Sequence, residues 1–165
     1  MNARVAPAWL LEYGDGRQAA FGLHATLALL DEPACAYVPG APAHVLGLMR
    51  WEGRRLPLVD LARLDETPPS AGHGGNSAPP HALVLAWQGA GEDAVQLAAV
   101  AAPRRVTMIE VRDDQQCATP DEAGTLSLLA ASWFLHEGRP VAVVDTWRLF
   151  SGWLAQARAS FATNV

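Results

Sequence analysis

Asp60 and Asp145 are the one arrangement in this sequence suited to chemistry: each stands at the same point of a repeated segment, and paired carboxylates can divide general acid and base work. An aspartate where a strand passes into a helical turn is also an N-cap, accepting from the backbone N–H groups that follow it. The cap accounts for both copies without catalysis. The five histidines, His24, His44, His73, His81 and His136, have neither the i, i+4 spacing nor the His-x-Glu pairing that sets two ligands on one metal. Cys35 and Cys117 stand far apart with no CxxC or Cys/His spacing. They are expected to be buried small apolar residues, not zinc ligands or a disulfide. Ser132 lies outside any Gly-x-Ser-x-Gly elbow, and Gly72-His73-Gly74-Gly75 lacks the preceding strand and following Lys-Ser/Thr of a phosphate loop. The expectation is a non-enzyme with no catalytic residues, no metal and no cofactor.

The repeat that carries the two aspartates also organises the chain. Gly53-Arg54-Arg55-Leu56-Pro57-Leu58-Val59-Asp60-Leu61-Ala62-Arg63-Leu64 and Gly138-Arg139-Pro140-Val141-Ala142-Val143-Val144-Asp145-Thr146-Trp147-Arg148-Leu149 share six residues of twelve in register. Each copy predicts a glycine turn, a buried strand and an aspartate-capped helical turn. Pro57 and Pro140 place these strands at an edge or a bulge, since proline cannot donate to a ladder. A hairpin opens each half: Trp9–Tyr13 with Gln18–Leu23 about the turn Gly14–Arg17, and Leu83–Trp87 with Ala94–Val100 about a glycine-rich turn. Two like lobes follow. Residues 65–81 hold no aliphatic side chain larger than alanine and predict a mobile loop. Beyond Thr146, the spacing of Trp147, Phe150, Leu154, Ala157 and Phe161 predicts a terminal helix.

Half of the 165 residues are apolar, enough for a sizeable interior. The formal charge of -5, with every basic residue an arginine, weighs against a nucleic-acid or anionic membrane partner. No stretch approaches the ~20 apolar residues of a spanning helix, and no signal peptide is evident, so the expected location is the cytoplasm. Of the six tryptophans, Trp9, Trp87, Trp133 and Trp147 are expected in the core. Trp51, between Arg50 and Glu52, is open to two readings, a recognition residue or a barrel-core residue.

One stretch ties these features together: Val38-Pro39-Gly40, then Leu46-Gly47-Leu48-Met49-Arg50-Trp51-Glu52-Gly53, then Leu56-Pro57-Leu58-Val59-Asp60-Leu61. It resembles the CheW-like domain of bacterial chemotaxis, in which Gly-x-x-Asn-Leu-Arg-Gly precedes an aliphatic-Pro-aliphatic-x-Asp-Leu-Arg stretch at this spacing. The resemblance runs from Trp9 to Leu149. It implies an all-β fold of two SH3-like five-stranded β-barrels, interleaved in one domain over 8–150, with a C-terminal helix or tail over 151–165. It further implies an adaptor that couples a methyl-accepting chemoreceptor tip to the regulatory domain of a CheA-type histidine kinase, the receptor hairpin docking between the barrels. The partner-binding residues so implied are Leu27, Leu29, Val45, Leu46 and Met49, with Arg50, Trp51 and Glu52 at the rim.

This chain departs from the family pattern at three places. Arg50-Trp51-Glu52 replaces Asn-Leu-Arg, Ala28 stands where a glutamate is common, and Ala101 stands where an aspartate is common. Partner-binding surfaces tolerate such swaps poorly, which points to an accessory or divergent adaptor. Two other classes remain open: a small-ligand module using the inter-lobe groove, or a nucleic-acid module using Arg54-Arg55 and Arg104-Arg105.

Overall fold

The computed structural model describes residues 3–66, 78–89, 91 and 93–152. The strands are β1 (Val5–Tyr13), β2 (Arg17–Gly22), β3 (Thr26–Asp31), β4 (Cys35–Ala36), β5 (Val45–Trp51), β6 (Arg54–Val59), β7 (His81–Trp87), β8 (Gln96–Ala102), β9 (Val106–Arg112), β10 (Ala130–His136) and β11 (Arg139–Val144). Two short helices, α1 (Leu126–Leu129) and α2 (Thr146–Phe150), frame the last hairpin. A first sheet runs β10-β11-β2-β1-β9 and a second runs β3-β7-β8-β6-β5-β4.

The sheets do not follow the halves of the sequence. The opening hairpin, β1–β2, joins the closing strands: β1 pairs with β9 and β2 lies parallel to β11. The second hairpin, β7–β8, joins the early strands in the same way, β7 with β3 and β8 parallel to β6. Each half therefore contributes its hairpin to the sheet built by the other, and neither half owns a complete sheet.

Both faces of these hairpins are buried, which is why they read as continuous apolar runs. In β1, Ala8 and Leu10 face a cluster with Phe134 and Val141, whereas Leu11 and Tyr13 face a larger cluster shared by the two sheets. In β7, Ala82 and Val84 face Met49, Leu56 and Leu58 on one side, and Leu83 and Leu85 enter the shared cluster on the other. The fold thus has three interiors, one inside each curled sheet and one between them.

Neither sheet is a closed barrel, which corrects the expected architecture. In each, the chain past the edge strand bends back toward the opposite end: β4 pairs with β5, and Gln116 makes a single bridge to Phe134. One bent segment takes the place of a ladder, because Glu32 at φ 46° and Pro33 break the extended run after β3. The extra pairing also makes the second sheet six-stranded.

The two copies of the repeat match in their local chemistry. The hairpin turns place Glu52 and Gly53 at φ 46° and 76°, and Glu137 and Gly138 at 50° and 77°, the left-handed pair that a two-residue hairpin requires. Asp60 Oδ1 accepts from the Ala62 N–H at 3.0 Å, and Asp145 Oδ1 accepts from the Arg148 N–H at 3.2 Å. Each cap is braced by the arginine three residues on, Arg63 at 3.5 Å and Arg148 at 3.7 Å. Register irregularities recur as well, between Val45 and Gly47 and between Ala130 and Ser132.

Several expectations change. By sheet order β6 and β11 are interior strands, not edges, and of the two expected settings it is the bulge that occurs, as a register irregularity in the antiparallel ladder of each. Their parallel ladders cover only Leu58–Val59 and Ala142–Val143, beyond each proline, so the missing N–H leaves those ladders intact. Cys35 and Cys117 are free and half-buried, packed at the margins of cores. Trp147 is 38% exposed, since the cap turns the first residues of α2 outward. The expected loop over 65–81 lies largely outside the described residues, as does the expected terminal helix beyond residue 152.

Because the interior between the sheets is common property, unfolding should be a single transition. Phe21→Ala, at a fully buried position in that cluster, should cost about 3–5 kcal/mol. Urea denaturation followed by far-UV circular dichroism and by tryptophan fluorescence should give coincident midpoints; separate midpoints would show that the sheets unfold independently.

Candidate functional site

The residues expected to bind a partner divide between two faces of the second sheet, and strand alternation does the dividing. Leu29 pairs with Leu83, and Val45 pairs with Val59; both partners belong to the shared interior. Leu29 therefore continues the apolar face that meets the first sheet but stands in solvent, and Leu27, which falls in the register irregularity between Thr26 and Ala28, is exposed beside it. They are 38% and 50% exposed. Val45 packs against the shared cluster and is half-buried.

Leu46, Met49 and Trp51 point the other way, into the second sheet's own core. Met49 is 1% exposed and offers nothing to a partner, so its expected contact role is withdrawn. Leu46 and Trp51 are half-buried against the same cluster, which gives Trp51 a core-margin position. Glu52 is the first residue of the hairpin turn, where its φ of 46° holds it out in solvent.

Arg50 is exposed and pairs across the ladder with Arg55, also exposed. Like charges directly opposite repel. At the equivalent place in the second copy stand Leu135 and Pro140. Among the described residues neither Arg50, Arg54 nor Arg55 has a carboxylate partner, so the tip of this hairpin is a cationic surface. Sequence reading took Arg54-Arg55 as an adjacent pair and missed the cross-strand pair, which depends on register.

The substituted positions lie in different surroundings. Ala28 packs at the edge of the second sheet's core, and Ala101 is buried in it, 2% exposed. A carboxylate at Ala101 would be costly to bury there. Next to Leu29, the exposed end of β3 carries Asp31, whose Oδ1 accepts from His81 Nδ1 at 2.8 Å.

Asp60 and Asp145 are each occupied as caps and ion-paired locally. Among the described residues no group of three or more His, Cys, Asp or Glu converges as a metal site. Among the described residues no helix is long and apolar enough to cross a membrane. Among the described residues Tyr13 and Cys35 have displaced titration. Burial pushes the Tyr13 hydroxyl above its usual 10.0, with Arg17 opposing and Asp65 adding to the shift. Burial also raises the Cys35 thiol.

The CheW-like domain family model matches residues 10–152, most of the chain and both sheets. The chain belongs to the CheW-like domain family. No curated protein sequence matches it at significance. Among solved structures it resembles the scaffolding protein TtCheW from Thermoanaerobacter tengcongensis, at a TM-score of 0.68 and 12% identity, with 89% of this chain and 93% of that one covered. At that identity the likeness speaks for the fold alone.

Trp51→Ala should lower stability by about 1–3 kcal/mol in urea denaturation, because it removes a half-buried aromatic from a core margin; an unchanged midpoint would return Trp51 to the surface. Tyr13 contributes in the alkaline range. Its folded pKa lies above the unfolded one, so its contribution is complete below about pH 10 and is lost as pH rises through the folded value. Tyr13→Phe should flatten the fall in melting temperature above pH 10 relative to the parent.

Proposed function

We propose that this protein is a non-catalytic signalling adaptor that couples chemoreceptors to a CheA-type histidine kinase. The observation that carries the reading is the CheW-like domain match over residues 10–152, combined with an apolar ledge, Leu27 and Leu29, exposed on the edge strand β3. An amphipathic receptor helix needs such an apolar strip at the side of a groove. The partners are a methyl-accepting receptor tip and the kinase regulatory domain, met in the cytoplasm, with each sheet, completed by the hairpin of the other half, acting as one SH3-like unit of a single domain over 8–150.

The finer reading is a divergent or accessory adaptor, serving a pilus-linked twitching system or a specialised receptor cluster. Its support is the β5–β6 hairpin tip, where Arg50 and Arg55 face each other without carboxylates and Glu52 takes the family's arginine position. A partner suited to this tip presents carboxylates toward the arginines and no carboxylate toward Glu52. That pattern differs from the one an ordinary family member would select.

The test is co-purification from the native organism, followed by binding to a chemoreceptor tip and to a CheA-type kinase regulatory domain. Leu27→Arg with Leu29→Arg, both on exposed sites, should leave the melting temperature nearly unchanged and weaken receptor binding at least tenfold. Equal binding by parent and variant would remove the ledge from the interface. Parent affinity for ordinary receptor tips equal to that of a typical family member would remove the divergent reading and keep the adaptor.

A further inference from the structure

A second hollow, unrelated to the ledge, opens at the end of the first sheet. Its volume is about 250 Å³, and its floor is aromatic and aliphatic: Tyr13 from the end of β1, Trp133 from β10 and Leu126 from α1. All three are buried, at 3%, 7% and 7% exposure, so the hollow is backed by the shared interior. Its rim is charged. Arg17, in the first residue of β2, lays its guanidinium over the Tyr13 ring at 4.9 Å from the centroid, and Arg139 stands at the start of β11. Glu122 lies on the same rim.

Among the described residues neither Arg17 nor Arg139 has a carboxylate partner, although carboxylates elsewhere in the chain are paired at 3.1–3.8 Å with Arg63, Arg104, Arg112 and Arg148. Two unpaired guanidinium groups beside an apolar floor form a receptor for a negative charge attached to a flat ring. One carboxylate already on the rim leaves room for one more negative charge, not two. The volume is below the usual range for drug-sized ligands and fits a single ring or a fused pair.

The corresponding end of the second sheet lacks these parts. Where the first hairpin closes on Tyr13 opposite Arg17, the second closes on Trp87 opposite Gln96, and Leu48 occupies the ladder position of Trp133. The repeat keeps the turns and caps in both copies, so the hollow is a property of one copy alone.

We infer that the Tyr13–Trp133 hollow is a binding site for a small aromatic monocarboxylate, held by Arg17 and Arg139 over the aromatic floor. This goes beyond adaptor function, because the hollow is built from the first sheet and the receptor ledge from the second. The adaptor would then also carry a small-molecule input.

Phenylacetate and indole-3-acetate, with phenylacetamide and indole-3-acetamide as uncharged twins, are the probes. Titration by isothermal calorimetry and by the Trp133 indole resonance should give saturable carboxylate binding, with a dissociation constant on the order of 0.1–1 mM for ligands of this size. The amides should bind about tenfold more weakly or worse. Arg17→Gln or Arg139→Gln, both at exposed positions, should weaken the carboxylates about tenfold while barely moving the amides. The Leu27→Arg, Leu29→Arg variant should bind the carboxylates like the parent, which separates this site from the receptor ledge. Absence of saturation at several millimolar, equal affinity for acid and amide, or indifference to both arginine variants would overturn the inference.

Discussion

Everything in this fold depends on hairpins that are buried on both faces. β1–β2 and β7–β8 each present one row of side chains to the core of their own sheet and the alternate row to the interior between the sheets. A strand with no wet face cannot stand at the surface of either half, so each hairpin must be sandwiched, and exchange between halves provides the second layer. The parallel contacts of β2 with β11 and of β8 with β6 are the seams of that exchange. The aspartate-capped helical turns of the repeat lie next to these seams. The Asp60 N–H donates to the His44 carbonyl at 2.8 Å, and the Asp145 N–H donates to the Leu129 carbonyl at 2.8 Å, tying each capped turn to the strand that begins beside it.

This constraint also limits which surfaces stay open. With the hairpins enclosed, the surfaces left are the edge strands, the hairpin tips and the ends of the sheets. β3 is such an edge, and it leaves Leu27 and Leu29 exposed, Leu29 in register with Leu83 of the shared interior. The β5–β6 tip is cationic and the β10–β11 tip is not, although both turns have the same geometry. Turn and cap positions answer to backbone requirements common to both copies. The side chains beside them are free of those requirements, and it is there that the two copies differ.

Much of this was legible beforehand. The duplicated Gly…Val-Asp…Arg-Leu segment showed both hairpin turns and both N-caps, since a left-handed turn and a capping carboxylate are local demands met by particular residue types. The opening hairpins and the all-β class followed from short apolar runs between turn residues, and the family from the order of Pro39, Gly47, Gly53 and Asp60. The site was less legible. Leu27 and Leu29 are exposed, whereas Leu46 and Met49 lie on the face opposite Val45: Leu46 by simple alternation, and Met49 because the irregularity between Val45 and Gly47 reverses the side chains beyond it. Trp147 looked like a core residue by type, and its position at the start of a capped turn put it outside.

By itself, then, the sequence determined what is local or periodic: strands, turns, caps, the duplication and the kinship with CheW-like domains. Only the tertiary structure decided which half completes which sheet, and that Arg50 stands opposite Arg55. It also decided that Tyr13 and Trp133, more than a hundred positions apart, floor one hollow. The reason is that apolar patterning states how many faces of a strand must be buried but not by which neighbour. With two copies of similar pattern in one chain, the choice between pairing within a half and pairing across halves depends on the packing of all three interiors together.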